Sequence, residues 1–156
     1  MPILPTIAFI NEVEDCYAMP GGSRSLGTAL QMLQTRWAAN CRDRETALRL
    51  AFLAWYTEAE PTFLTGLPEN QTMIPVFEAA AAALGGADCI DPEACCVIGM
   101  MAELCPYFCG DEQYWLTTGK LLSARARTLL PHGLARAVFA GRGAYGQYFA
   151  HMTAAR

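Results

Sequence analysis

The chain carries almost no sequence pattern of a β-strand, and this absence constrains its fold more than any other feature. β-Branched residues do not alternate with polar ones, and valine occurs only at positions 13, 76, 97 and 138. Alanine, the strongest helix former, is abundant. Glycine and proline cluster between segments whose apolar residues recur at helical spacing. We therefore predict an all-α fold, a helical bundle or a short array of antiparallel helical hairpins with about six to seven helices.

Local start and stop signals place the helices along the chain. A short polar side chain before an apolar run bonds the free N–H groups of a first turn, so Ser23 or Ser25, Asp43 and Asp91 mark helix starts. Further helices begin near Thr6, Asn70 and Asp111. These helices are predicted to end at about residues 15, 40, 59, 84, 104 and 130, and two short helices follow over about 134–140 and 144–154.

Two of the predicted helices lack a polar face. Residues 50–56 are apolar all round, and residues 92–104 are nearly so. A helix that is apolar on every side is buried by its neighbours. We therefore expect these two helices at the centre of the fold.

The composition fits one globular domain. The chain has 156 residues, of which 53% are hydrophobic and 17% are charged. This is enough for one hydrophobic core and argues against disorder, so we expect a single helical domain over residues 1–156. The shortage of charge also suggests a further apolar contact, such as one between two copies of the chain.

Charge and targeting signals exclude several classes of partner. The net charge is -4, and the arginines are scattered, with Lys120 as the only lysine; a nucleic-acid-binding stripe is therefore missing. No segment reaches the ~18 to 20 apolar residues that span a bilayer, and the first residues lack the positive charge of a secretory signal. We expect a soluble, cytoplasmic protein that binds neither nucleic acid nor membrane.

Seven cysteines, at positions 16, 41, 89, 95, 96, 105 and 109, lie mostly in apolar helical segments. Such cysteines are typical of buried free thiols in a reducing compartment. Cys105 and Cys109 are one residue too far apart for a redox Cys-x-x-Cys site, and His132 and His151 do not complete a zinc pattern. We expect structural cysteines, with no metal and no other cofactor; a redox or metal role is the alternative.

A spacing of 45 residues recurs in the middle of the chain. Glu58-x-x-Pro61-x-Phe63 returns as Glu103-x-x-Pro106-x-Phe108, and the apolar positions of the following helices align at the same offset. This length is close to that of known helical repeat units. We predict hairpin units over residues 6–40, 45–85 and 91–130 and a capping segment over 133–156. The alternative is a chance alignment of two alanine-rich hairpins.

Glu58 and Glu103 occupy the last turns of the two apolar helices. A negative charge at that end opposes the helix dipole by ~0.3 to 1 kcal/mol, so some group should compensate it. A buried arginine or the N–H groups of the adjoining turn would do so. Alternatively, the two carboxylates line a shared pocket, as ligands or proton carriers.

The segment 138–152 combines three glycines, one arginine, several aromatic residues and a histidine. Glycine beside Arg142 lets a backbone approach closely while the guanidinium makes forked contacts. Tyr145 and Tyr148 belong to a residue type that is enriched in recognition sites. The alternative is a terminal helix that packs these tyrosines into the core, with Gly141 and Gly143 as turn residues.

These patterns lead to a binding function. No Ser/His/Asp grouping or nucleophile elbow occurs in the sequence, so we lean away from an enzyme. The leading hypothesis is a module that binds a protein or peptide partner in a groove between stacked hairpins. Its candidate binding residues are Glu58, Glu103, Arg142, Tyr145 and Tyr148. The first alternative is a small-molecule-binding or enzymatic bundle with a pocket lined by Glu103, Glu58 and Arg142. The second is a subunit whose role is to form a homo-oligomer.

Overall fold

The chain is all-α over residues 3–20 and 24–154, which are the residues that the computed structural model describes. Within these ranges there is no β-strand, and the all-α prediction is confirmed. The α-helices are α1 (Ile7–Asp15), α2 (Ser25–Ala38), α3 (Arg44–Trp55), α4 (Thr62–Thr65), α5 (Asn70–Ala83), α6 (Pro92–Leu104), α7 (Glu112–Leu129) and α8 (Gly143–Ala154). Short 3₁₀ turns cover Cys16–Ala18, Tyr56–Glu58, Gly86–Asp88, Pro106–Phe108 and Arg136–Phe139.

Helices α3 and α6 form the centre of the molecule. Every residue of α3 from Thr46 to Trp55 is buried, and α6 is buried over most of its length. Helix α5 packs on α3, α7 packs on α6, and α1, α2 and α8 close the remaining sides. The prediction that the two all-apolar helices are central is confirmed, because neighbours cover them on every side.

Small residues bring α6 and α7 close together. A Cβ atom added to Gly99 would lie 2.6 Å from the Ser123 hydroxyl, and one added to Gly119 would lie 2.8 Å from the Cβ of Ala102. The absence of these side chains lets the two helices approach each other. One face of α7 is therefore held against α6, and the opposite face points outward.

The predicted caps Asp43 and Asp91 are confirmed, Asp111, which was predicted only as a helix boundary, is also a cap, and the predicted serine cap is wrong. Asp43, Asp91 and Asp111 each accept a hydrogen bond from a backbone N–H of the first turn that follows. Helix α2 instead begins at Ser25 itself, after Arg24 at a φ of 69°. The backbone N–H of Arg24 donates to the Leu64 carbonyl at 2.6 Å, so a contact with another segment sets this helix start. Ser23, the other predicted cap, lies outside the described residues.

Some predicted helix ends also differ. The helix expected to reach residue 59 ends at Trp55 and continues as the 3₁₀ turn Tyr56–Glu58. The helix expected over 134–140 is only the 3₁₀ turn Arg136–Phe139, since its flanking residues Ala135 and Ala140 are extended and the segment is too short to nucleate a stable α-helix. The single-turn helix α4 was not predicted.

The two copies of the 45-residue motif lie in different local structures. Glu58 belongs to a 3₁₀ turn and Pro61 precedes α4, whereas Glu103 belongs to α6 and Pro106 begins a 3₁₀ turn. Each predicted unit nevertheless contains a pair of packed helices, α3 with α5 and α6 with α7. The duplication itself stays a prediction.

Among the described residues, no single helix has the length and hydropathy to cross a bilayer. Residues Asn70–Asp88 and Pro92–Leu104 reach that threshold only together, as a pair bent by 114°.

Candidate functional site

The structure separates the predicted glutamates from Arg142. Glu58 and Glu103 are both exposed, so water rather than a buried arginine compensates their charges. Arg142 forms its ion pairs with Glu45 and Glu93. The predicted grouping of Glu58, Glu103 and Arg142 is therefore not formed.

The two candidate tyrosines pack inside the protein. Tyr145 is 0% exposed, and Tyr148 is half-buried. The Tyr148 ring lies 5.4 Å from the ring of Phe52 and 5.8 Å from that of Trp55, measured between centroids. For these residues the structure agrees with the alternative in which the terminal helix contributes to the core.

Arg142 and Tyr145 belong to a chain of ion pairs that begins in the interior and reaches the surface at Arg44. We call it the buried ion network; in spatial order its charged residues are Glu14, Arg49, Glu45, Arg142, Glu93, Arg44 and Asp91. The signs of the charges alternate along the chain. The Tyr145 hydroxyl donates a hydrogen bond of 2.6 Å to Oε1 of Glu93.

Arg142 is the centre of this network. Its Nη2 atom lies 2.7 Å from Oε2 of Glu45, and its Nη1 atom lies 2.5 Å from Oε1 of Glu93. Its guanidinium carbon lies 5.0 Å from the centroid of the Tyr145 ring, within the range of a cation–π contact. The forked contacts predicted for Arg142 are thus made to carboxylates of the protein itself.

The innermost members of the network are Arg49 and Glu14. Both side chains are 0% exposed, and they form an ion pair with each other. Oε1 of Glu14 and Nε of Arg49 lack a hydrogen-bond partner among the described residues. Two buried charges that are incompletely hydrogen-bonded are costly, so this pair is the least favourable part of the network.

Burial changes the proton affinity of these groups. It raises the pKa of Glu14 from 4.5 to about 7, against the opposing effect of Arg49. Burial alone would also raise the pKa of Glu45, but the hydrogen bond and charge of Arg142 hold it below its usual value. Burial raises the pKa of Tyr145 far above its usual range, which keeps its hydroxyl protonated as a donor.

Gly143 lets the backbone pass directly over the innermost pair. Its φ is +63°, and a Cβ atom there would lie 2.5 Å from Nη2 of Arg49 and 2.9 Å from Oε2 of Glu14. The close backbone approach predicted beside Arg142 is therefore directed at a buried ion pair. The network ties the start of α8 to α1, α3 and α6, and its inner members have no access to a substrate.

The network could be predicted only in part. Glu45 and Arg49 are four residues apart on one helix, a spacing at which opposite charges pair. Their presence in an otherwise apolar helix was a usable signal of a buried polar cluster. Glu14 and Glu93 gave no such signal, because their partner arginines lie 35 and 49 residues away in the sequence.

A cavity of about 200 Å³ lies beside α6 and α7, away from the network. We call it the α6–α7 cavity. Its lining contains apolar and hydroxyl side chains, one arginine, one histidine and no carboxylate. The lining residues are Cys96, Met100, Ser123, Ala126, Arg127, Leu130, His132, Gly133, Leu134 and Thr153.

The outward face of α7 carries a row of exposed, uncharged residues. We call it the α7 stripe; it comprises Tyr114, Thr117, Leu121, Ala124 and Thr128. Successive members are alternately three and four residues apart. This is the spacing at which one helix packs against another along its length.

The cysteines form neither a disulfide nor part of a metal-ligand cluster in the described part of the chain. None of the seven forms a disulfide, and no group of three His, Cys, Asp or Glu side chains there is placed to hold a metal ion. Burial raises the pKa of Cys95 to about 12 and that of Cys109 further. A thiol that stays protonated is a poor nucleophile.

Comparison with known protein families, with curated proteins and with solved structures finds no match to this chain.

Proposed function

We propose that this protein is a helical interaction module that binds an amphipathic helix of a partner protein along the α7 stripe. The observation that carries the proposal is the stripe itself. It runs along most of an 18-residue helix whose opposite face is buried against α6. A helix face with residues at this spacing offers the knobs and holes that a second helix needs.

Two large side chains supply the apolar contacts of the proposed interface. Tyr114 is 51% exposed and Leu121 is 47% exposed. Thr117, Ala124 and Thr128 are smaller and leave room between these two for side chains of the partner. Tyrosine is enriched among the residues that contribute most of the binding energy in interfaces, and burial of a leucine side chain adds apolar area. We therefore expect Tyr114 and Leu121 to dominate the affinity.

The charges beside the stripe indicate the chemistry of the partner. Lys120 and Arg127 are exposed, seven residues apart, and line one edge of the stripe. A partner helix with glutamate or aspartate along its matching edge would pair with them.

A second copy of this chain is a poorer occupant. Leu121 lies at the centre of the stripe, so a twofold pairing would bring Lys120 close to its own copy. Like charges in that position oppose association. The homo-oligomer expected from composition is therefore an alternative outcome of the experiment below rather than our proposal.

The remaining parts of the protein serve as the scaffold in this proposal. Arg142 and Tyr145 hold the terminal helix to the core, and α6 positions α7. We also place the protein in the cytoplasm, a location supported by seven cysteines of which none forms a disulfide.

The test uses a labelled synthetic peptide of about three heptads with leucine at the a and d positions and glutamate at the flanking positions. Fluorescence anisotropy measures its binding to the full chain. We expect Leu121→Asp to weaken binding by about tenfold or more. Leu129→Asp is the matched control, because Leu129 is also exposed on α7 but lies off the stripe; we expect it to change the affinity less than about twofold.

Three results would overturn the proposal. The first is equal loss of binding in both variants. The second is equal affinity for a peptide with lysine in place of glutamate. The third is a dimer in sedimentation equilibrium that Leu121→Asp dissociates, which would identify a second copy as the occupant.

A further inference from the structure

We propose that the α6–α7 cavity is a second binding site, for a small organic carboxylate with an aromatic or branched aliphatic body. No residue of the α7 stripe lines this site, and of the two basic residues at the edge of the stripe only Arg127 also lines the cavity. Residues Ser123, Ala126 and Leu130 face the cavity, whereas Leu121 and Ala124 belong to the stripe on another side of the same helix.

The size of the cavity limits the ligand to one ring or its equivalent. Its volume is about 200 Å³. An apolar cavity of about 150 Å³ in another protein binds benzene, so a ring with a short acidic substituent is of the right size here.

One side of the cavity is apolar. Met100 and Ala126 are almost fully buried, and Leu130 and Leu134 are half-buried beside them. These side chains provide a surface for the hydrocarbon part of a ligand. Met100 adds adaptability, since its unbranched side chain adjusts to rings of different shape.

The solvent-facing side of the cavity selects for negative charge. Arg127 and His132 line it, and neither makes an ion pair with a residue that the structure describes. No carboxylate is present in the lining, although acidic residues outnumber basic ones in the chain, 15 to 11. By contrast, Arg44 and Arg142 are each held by two carboxylates. Arg127 is thus free to make a forked contact with a carboxylate from outside the protein.

The test compares phenylacetate with phenylacetamide, its neutral isostere, on the full chain. Isothermal titration calorimetry gives the affinity, and the NMR shift of the Met100 methyl group reports whether the ligand enters the cavity. We expect phenylacetate to bind with a shift at Met100 and the amide to bind about tenfold more weakly, because the charge-assisted hydrogen bonds are lost.

Substitutions then show which side chains contact the bound carboxylate. We expect Arg127→Gln to weaken phenylacetate binding by about tenfold or more and Arg136→Gln to change it less than about twofold. Both arginines are exposed, but Arg136 does not line the cavity, so both variants should fold. Ala126→Leu fills the cavity and should abolish binding; if that variant does not fold, the pair of arginine variants still decides the question.

Equal affinity for the amide, no Met100 shift at millimolar phenylacetate, or full affinity in Arg127→Gln would each overturn the proposal. Because Arg127 borders both sites, Leu121 and His132 distinguish this test from the peptide test: only His132 lines the cavity. Leu121→Asp should leave phenylacetate binding intact, and His132→Gln should weaken phenylacetate binding while leaving peptide binding intact.

Discussion

Two glycines flank Arg142, and their surroundings give them different roles. Gly141 and Gly143 both have a positive φ, at +69° and +63°. At Gly141 a Cβ atom would meet nothing within 4 Å, whereas at Gly143 it would meet the Arg49–Glu14 pair. The positive φ alone explains why position 141 is a glycine. At position 143 the buried ion network beneath the backbone also leaves no room for a side chain.

We therefore expect Gly143→Ala to destabilise the protein much more than Gly141→Ala. A non-glycine residue in the left-handed region costs about 1 to 2 kcal/mol, and both variants incur this cost. Gly143→Ala additionally displaces a buried charge pair, which should bring its total to about 3 kcal/mol or more. Urea denaturation of both variants gives the difference. Equal destabilisation of the two variants would mean that the buried ion network accommodates the extra methyl group without losing stability.

Tyr145 and Tyr148 provide a second contrast between single residues. The buried Tyr145 hydroxyl donates to the Glu93 carboxylate, whereas the Tyr148 hydroxyl makes no hydrogen bond to a described residue. We expect Tyr145→Phe to lower the free energy of unfolding by about 1.5 to 3 kcal/mol, the usual worth of a hydrogen bond to a charged group. Tyr148→Phe should change it by less than about 0.5 kcal/mol. Thermal and urea unfolding measure both, and a similar loss in the two variants would contradict this assignment.

Among the helices, α8 shows most clearly how the terminal segment acts. Tyr145 and Phe149 are 0% exposed, and the Phe149 ring packs within 5.7 Å of Phe52 on the central helix α3. A partner-binding terminal segment could be removed without loss of the fold. A helix that completes the core cannot be removed in this way.

Deletion of residues 141–156 should therefore abolish cooperative unfolding, not merely partner binding. Phe149→Ala is a milder test, and we expect it to cost about 3 to 5 kcal/mol, as is typical when a buried aromatic ring is removed. His151→Ala on the exposed side of the same helix is its control, with an expected change within about 0.5 kcal/mol. Differential scanning calorimetry distinguishes these outcomes. A truncated chain with an unchanged melting transition would show that α8 is dispensable for folding.

The elements that could be predicted from the sequence are those with local causes. Asp43, Asp91 and Asp111 bond the backbone three residues away, so their effect on helix starts follows from nearby residues alone. The start of α2 depends on a contact between Arg24 and Leu64, and a local pattern does not contain that information. The same limit applies to the candidate site. Arg142 was recognisable as an unusual residue, but its partner Glu45 lies 97 residues away.

At the scale of the whole molecule, the buried ion network joins segments from both ends of the chain. Glu14 comes from α1, Arg49 from α3, Glu93 from α6 and Arg142 from the residue before α8. Removing one partner of a buried pair leaves an uncompensated charge, at a cost of about 3 to 5 kcal/mol. The network therefore makes the correct docking of these four segments mutually dependent, which favours a single arrangement of the helices.

This network also makes stability depend on pH, with two opposing contributions. The pKa of Glu14 is about 7 in the folded protein against an ordinary value of 4.5. Between these values the folded state binds more protons than the unfolded state, so stability falls as the pH rises through this window. Glu45 and Asp91 have pKa values below the usual range, and their contribution is lost as the pH falls below about 4. Stability should therefore be greatest where the two ranges meet, near pH 4.5.

One substitution isolates the contribution of Glu14 to the pH dependence of stability. A rise of the pKa from 4.5 to about 7 corresponds to a loss of about 2.5 kcal/mol between pH 5 and pH 8. Glu14→Gln has no charge to bury, so we expect its free energy of unfolding to change little over that range. Glu12→Gln, on the exposed side of α1, should keep the full dependence. Urea denaturation at a series of pH values measures all three proteins. The charges that act on Glu14 are those of Arg49, Asp15 and Glu45, and Glu14→Gln leaves all three in place. If the free energy of unfolding of Glu14→Gln still depends on pH over this range, another group causes the dependence.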